Sequence, residues 1–256
     1  MKLTEYLEIL SYDVAFWLAG IANSDYPIEK IGELAIEVSP KLRAAAIIVL
    51  LTKADIDAFF HNLIRSAKCR VVYLQRLSQA GILNDHHQAS GRVDPFLDAV
   101  AAADFATARQ IVGLSLTEWQ QGHEYEDDYC YAQILHSLIT LPRNESRLQV
   151  LFERFEKALS GQSDARLAIC KVIAEGNKQD FNQAFEDLLA QRAAQIESDK
   201  TRHQMEDPVV IAERQVYIEG LAILRIADKL GFATQFEYRF CPSIARVDMR
   251  KPFPGE

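Results

Sequence analysis

The stretch DPVVIAERQVYIEGLAILRIADKLG, residues 207–231, decides the fold class. Asp207 followed by Pro208 is typical of a helix start, because aspartate caps a first turn and proline fits its first position. Residues 218–230 carry apolar side chains on most sides of a helix, which predicts a central core helix. We therefore expect one continuous helix from Pro208 to Gly231.

The amino-terminal part of the chain gives further helical signals. Ser39 and Pro40 predict the start of a long apolar helical segment, with a break near Lys53 and a stop at Gly81. The polar residues 82–92 predict the main interior loop. Apolar residues alternate at spacings of four and three on one face of a first helix: Leu3, Leu7, Leu10, Val14, Trp17 and Ile21.

A weak repeat, Asp-Phe-x-x-Ala, occurs at residues 104–108 and again at 180–184. In each copy the aspartate can cap the helix that follows, as in helical-hairpin repeats. Two unrelated capped helices are the alternative interpretation.

The sequence as a whole predicts an all-α fold without a βαβ unit. The expected architecture is a layered array of helical hairpins in one domain, residues 1–256, that can be subdivided into 1–81 and 93–256. After Phe232 the chain is expected to be a short extended tail, since aromatic residues alternate with polar ones and prolines discourage helix.

Composition limits the function classes. The chain has 28 basic and 36 acidic residues, a net charge of −8, which disfavours a nucleic-acid partner. The beginning of the chain lacks the apolar core of a signal peptide, and no apolar run could cross a bilayer, so we expect a cytoplasmic protein with no membrane partner. Four cysteines are too far apart for a zinc motif and indicate reduced thiols: Cys69, Cys130, Cys170 and Cys241.

The histidines are the candidates for metal chemistry. On a helix, His123 and Asp127 would lie one turn apart, but a stable site needs three or four ligands. His86 and His87 are interpreted as loop residues, and His136 as part of a solvated helix face. No nucleotide-binding, metalloprotease or hydrolase motif occurs in the chain. We therefore expect no metal, no cofactor and no enzymatic activity.

An acid cluster is the most unusual feature of the chain. Between residues 118 and 128 there is no Lys or Arg, and Gly122 is expected to end the preceding helix. Acids in a first helical turn are stabilised by the helix dipole, which is a sufficient structural explanation. A cluster that also carries the exposed aromatics Trp119 and Tyr125 suits a surface that docks on a basic partner. The acids are Glu118, Glu124, Glu126, Asp127 and Asp128.

The order of segments from about Phe96 to Val247 resembles the immunity protein 49 family of bacterial polymorphic-toxin systems. The resemblance covers roughly the last three-fifths of the chain and leaves out the first ninety residues. The segments that carry it are FLDAVAAADFATARQIV, EDDYCYAQIL, EGNKQDFNQAFEDLL, EGLAILRIADKLGF and EYRFCPSIARV.

The resemblance implies a non-enzymatic antidote that binds and blocks a toxin delivered by neighbouring bacteria and acting in the cytoplasm. It supplies no catalytic residues, and it leaves the oligomeric state open. A helical-repeat adaptor for peptides and a metal-dependent hydrolase are the alternatives. From the residues themselves, the predicted surface for a basic toxin is Glu118, Trp119, Glu124, Tyr125, Glu126, Asp127 and Asp128.

Overall fold

The computed structural model describes residues 3–83, 85–200 and 207–254, and this part of the chain is predominantly helical. It contains eleven α-helices, two short 3₁₀ turns and isolated β-bridges, without a strand in the described ranges. The all-α prediction is confirmed. The helices are α1 (Leu3–Ala22), α2 (Ile28–Lys53), α3 (Ile56–Ala80), α4 (Asp94–Ala101), α5 (Phe105–Leu114), α6 (Glu126–Ile139), α7 (Glu145–Ala158), α8 (Ala165–Ala174), α9 (Phe181–Lys200), α10 (Pro208–Glu213) and α11 (Ile218–Lys229).

The two longest helices, α2 and α3, are separated by a short capped turn. α2 ends at Lys53, and the Asp55 side chain accepts a hydrogen bond from the Ala58 amide at the start of α3. Gly81 ends α3 in the left-handed conformation, with φ of 67°, which glycine adopts without a steric cost. The predicted break near Lys53 and the stop at Gly81 are confirmed.

The helix start predicted at Ser39 and Pro40 is wrong, because Pro40 lies inside α2. A proline there removes one main-chain hydrogen bond from the helix. The buried face nevertheless continues on both sides of it, since Ile31, Val38 and Leu42 are all buried. Packing of this apolar face outweighs the lost hydrogen bond, and local sequence signals cannot show that.

The single helix expected from Pro208 to Gly231 is also wrong, because residues 214–217 form a break between α10 and α11. The Tyr217 amide donates to the Phe240 carbonyl at 2.8 Å instead of to its own helix. The Cys241 Sγ would lie 2.7 Å from a Cβ at Gly220, so glycine is needed for this close approach. The carboxy-terminal tail therefore supplies the acceptor for the Tyr217 amide at this break.

The helix α11 forms the centre of the core, as predicted. Leu221 and Leu224 are fully buried, and α11 packs against α4 and α9. The main cluster of buried side chains draws members from Tyr6 near one end to Ala245 near the other. None of the described helices has the length and apolar run needed to cross a bilayer.

Helices that follow one another in the chain also pack together, including α4 with α5, α6 with α7 and α8 with α9. The Asp104 side chain accepts from both the amide and the hydroxyl of Thr107 at the start of α5. Helix α9 begins directly after Asp180, whose carboxylate accepts from Asn177. The helix starts predicted at the two Asp-Phe-x-x-Ala sequences are confirmed.

The tail after α11 is irregular rather than an alternating strand. Tyr238 is buried while Phe236 is exposed, and an isolated bridge joins Tyr238 to Cys241. A 3₁₀ turn follows at Ser243–Ala245. The tail is held by its buried residues and not by a sheet.

Candidate functional site

A cleft of about 810 Å³ opens between α2, the start of α4 and the loop that precedes α6. Part of the acid cluster forms one of its walls, so the fold brings it opposite a proline-containing stretch of α2. The lining residues are Ala35, Ile36, Ser39, Pro40, Arg70, Gly91, Arg92, Asp94, Pro95, Gly122, His123, Glu124, Tyr125 and Asp128.

The acidic wall combines a loop with the first turn of α6. Helix α5 ends at Leu114, so the prediction that Gly122 ends it is wrong. Gly122 has a φ of 84° and serves a turn within the loop. Glu126, Asp127 and Asp128 occupy the first turn of α6, as predicted, where the helix dipole favours them.

Glu124 joins the acidic wall to the neighbouring loop. Its Oε2 accepts from the Gly91 amide at 2.5 Å, and its Oε1 accepts from the Gln120 amide at 2.9 Å. A Cβ at Gly91 would lie 2.8 Å from Glu124 Oε2, so the approach depends on glycine. This carboxylate is therefore committed to holding the two loops together.

The first-turn acids of α6 are paired with arginines from other helices. Glu126 bonds to Arg154 of α7, while Arg166 of α8 reaches Asp127 at 3.2 Å and Asp128 at 2.9 Å. Residues 118–128 contain no Lys or Arg, but the fold places arginines of other helices beside these acids. The five carboxylates of the cluster and these two guanidinium groups leave a formal charge of −3, so the wall stays acidic.

Arg166 remains charged in this position. Burial lowers its pKa, but the hydrogen bond and charge of Asp164, together with Asp128, outweigh burial and raise the pKa above its ordinary value. Its guanidinium also lies over the Tyr131 ring at 5.1 Å, a cation–π arrangement. Arg166 holds Asp127 and Asp128 in place, and the buried Tyr131 ring holds Arg166 in place.

The two predicted aromatic anchors differ in exposure. Tyr125 is 79% exposed at the mouth of the cleft, as expected. Trp119 is only partly exposed and packs against the core, so the prediction that it is exposed is wrong. Its Nε1 donates to the Glu124 carbonyl at 3.3 Å, and the Arg154 guanidinium lies 5.1 Å from its ring. Trp119 therefore supports the loop, and Glu118 beside it is exposed.

Asp94, at the cleft, belongs to a network around a buried ion pair that the sequence interpretation missed. Arg43 Nε donates to Asp98 Oδ1 at 2.7 Å, and Arg43 Nη1 lies 2.9 Å from an oxygen of Asp94, whose side chain is 66% exposed. Ser66 also donates to Asp98. Burial raises the pKa of Asp98 to about 6, against the effect of Arg43. Single charged residues within apolar stretches, as in RAAAIIVLL and FLDAV, were the available signal.

Two further arginines line the cleft. Arg70 is buried and donates to the carbonyls of His87, Gln88 and Ala89, which fixes the loop before α4. Burial lowers its pKa to about 10. Arg92 has a buried Nε without a hydrogen-bond partner among the described residues. The lining of the cleft therefore combines carboxylates with two guanidinium groups.

Two of the histidines, His136 and His123, do not lie where the sequence predicted, whereas His86 and His87 lie in a short turn between α3 and α4. His136 is buried against the Phe96 ring at 4.7 Å, so its assignment to a solvated face is wrong. Burial, followed by the charges of Arg70 and Arg147, lowers its pKa to about 3. His123 precedes α6 and does not lie on it, so its one-turn spacing to Asp127 does not hold.

The fold and the cleft define an all-α helical array with an acidic, solvent-open face. A family model, Immunity protein 49, matches residues 33–245, and the chain belongs to this family. The match begins well before Phe96, so α2 and α3 are part of the family region, contrary to the expectation that the first ninety residues lie outside it. Comparison with curated proteins and with solved structures found no match.

Proposed function

We propose that this protein is a cytoplasmic immunity protein that binds a cognate toxin from competing bacteria and blocks it by direct contact. Membership of the immunity protein 49 family over residues 33–245 carries the proposal. The family description favours a non-enzymatic role, so inhibition here requires a binding surface and no cofactor.

The cleft and its acidic wall are the proposed binding surface. The net negative charge of the acidic wall suits a basic toxin, as expected for one that acts on nucleic acid. Clustered charge of one sign raises the association rate of an oppositely charged partner. Tyr125 supplies an exposed aromatic anchor at the mouth, a residue type enriched at protein interfaces.

The residues of the predicted surface divide into two roles. Tyr125 and Glu118 are exposed and would contact the toxin directly. Trp119 and Glu124 would act indirectly, by holding in place the loop that carries Tyr125. The first-turn acids are held by Arg154 and Arg166, so their positions are set before binding, which lowers the entropic cost of association.

Co-expression with the toxin encoded beside this gene tests the proposal. The wild type should rescue growth and bind the purified toxin, and Tyr125→Ala combined with Glu118→Lys should slow association and reduce its salt dependence. Glu8→Lys is the matched control, because Glu8 is an exposed acid on α1, away from the cleft. Circular dichroism must show that each variant keeps the wild-type helix content and melting temperature.

Two results would count against the proposal. Failure of the wild type to bind the toxin would remove the immunity function and favour a helical adaptor. Full protection by the Tyr125/Glu118 variant, with an unchanged association rate, would move the binding surface away from the cleft.

A further inference from the structure

A short turn beside the cleft brings one carboxylate and two imidazoles together. One potential ligand atom from each of Asp85, His86 and His87 lies within 4.8 Å of the other two. Imidazole and carboxylate are common ligands of Zn²⁺. Ligand atoms on a tetrahedral zinc ion lie about 3.3–3.6 Å apart, given bonds of about 2.0–2.2 Å. The centroids of the His86 and His87 rings lie 3.6 Å apart, so the exposed His86 side chain has to rotate away from His87 for both to bind one ion.

The carboxylate is already oriented by the fold. Asp85 caps the 3₁₀ turn His86–Gln88, and its Oδ1 accepts from the His87 amide at 2.8 Å and from the Tyr73 hydroxyl at 2.7 Å. Hydrogen bonds of this kind orient the ligands of metal sites from outside. Both bonds go to Oδ1, so Oδ2 is the oxygen available to an ion.

The His87 ring is seated firmly on α2. A Cβ at Gly32 would lie only 2.7 Å from its Cδ2, so the ring occupies the space that a larger residue would fill. Its Nδ1 is buried and has no hydrogen-bond partner among the described residues. Buried polar atoms normally have a partner. The histidine is therefore fixed in place while part of its hydrogen-bonding or metal-binding capacity remains unused.

A fourth ligand is available from the acidic wall. The rings of His86 and His123 have their centroids 6.2 Å apart. Two imidazoles bound to one tetrahedral zinc ion have centroids roughly 5 Å apart, given the Zn–N bond length. Both side chains are exposed, so this difference requires only a side-chain adjustment.

We propose that Asp85, His86, His87 and His123 form a Zn²⁺ site at the edge of the cleft. An ion there would connect the 82–92 loop to the loop that carries Tyr125, since His123 lies two residues before it. His123 lines the same cleft as Tyr125, but zinc binding does not depend on the immunity function.

Titration of the chelator-treated full-length protein with ZnCl₂ by isothermal calorimetry tests the site. The wild type should bind one Zn²⁺ per chain, and its melting temperature should rise on binding. His86→Ala should abolish stoichiometric binding, and His123→Ala should weaken it at least tenfold. His61→Ala is the control, because His61 lies on α3 against Phe253 and Lys251, and it should leave the affinity unchanged.

The melting temperature without zinc identifies any variant that fails to fold, and the exposure of His86 makes the wild-type value the expected one. The proposal is overturned if the wild type binds no zinc. It is also overturned if a variant lacking both His86 and His123 binds one ion with wild-type affinity.

Discussion

Replacement of Arg43 by methionine should lower the free energy of unfolding by about 3–5 kcal/mol, the usual cost of removing one partner from a buried ion pair. Methionine fills much of the space of the arginine stem but cannot neutralise a carboxylate. The Asp98 side chain would then be a buried charge with hydrogen bonding from Ser66 as its remaining support.

The structure explains why this value should apply. The Arg43 side chain is 10% exposed and that of Asp98 is 0% exposed, so water cannot replace the lost partner. Burial lowers the pKa of Arg43, but Asp94, Asp98 and Glu213 together raise it above its ordinary value. The Arg43 guanidinium therefore neutralises three carboxylates. Of these, the Asp98 side chain is the least exposed to solvent.

Two matched variants separate this explanation from a general loss of packing. Asp94→Asn removes a carboxylate that is 66% exposed, and should cost less than about 1 kcal/mol. The double variant Arg43→Met with Asp98→Leu removes both buried charges and should recover most of the loss, because paired apolar replacements are often neutral.

Urea unfolding followed by circular dichroism measures these differences. The midpoint should fall for Arg43→Met with an unchanged slope, which indicates a loss of stability without a change in the surface exposed. A loss below 1 kcal/mol, or a double variant no more stable than Arg43→Met alone, would refute the argument from buried charge.

Three other expectations concern stability. Leu224→Ala should cost about 2–5 kcal/mol by opening a cavity at a fully buried position, measured by urea unfolding, and a loss near zero would contradict the central role of α11. Asp104→Ala should cost about 1 kcal/mol because Thr107 loses its cap, and an unchanged melting temperature would contradict this. His136 stays neutral when folded, whereas its unfolded form binds a proton below a pKa of 6.5. Stability should thus fall as the pH decreases, by about 2 kcal/mol more between pH 7.5 and pH 5 in the wild type than in His136→Gln, and equal pH profiles would contradict the buried, neutral state.

The sequence was a good guide where one local signal decides the structure. Asp104 and Gly81 mark helix ends because a cap or a left-handed residue acts within one turn. The core position of Leu224 followed from apolar residues on most sides of its helix. Each of these predictions needed only neighbouring residues.

Predictions failed where distant parts of the chain meet. Ser39 and Pro40 are typical of a helix start, but α2 and its buried face continue on both sides of Pro40. The break before α11 depends on the tail at Phe240. His136 was assigned to a solvated face, yet the fold buries it against Phe96. Nothing within a few residues of these positions could reveal their partners.

The sequence predicted only part of the candidate site. Two acids of the cluster, Glu124 and Asp128, line a cleft, and Tyr125 is exposed as expected. The arginines that pair with the cluster lie on α7 and α8, between 28 and 39 residues along the chain from their partners, and no periodicity links them to the cluster. Arg43 and Asp98, 55 residues apart, meet for the same reason.

The pairing of the acid cluster has a consequence for how the proposed binding surface can evolve. A substitution at Asp127 or Asp128 leaves Arg166 with fewer partners beside Asp164, so it favours a compensating change on another helix. Tyr125 and Glu118 form no ion pair within the described part of the chain and can change singly. Divergence between related immunity proteins should therefore begin at these two positions, while the paired acids and arginines change together.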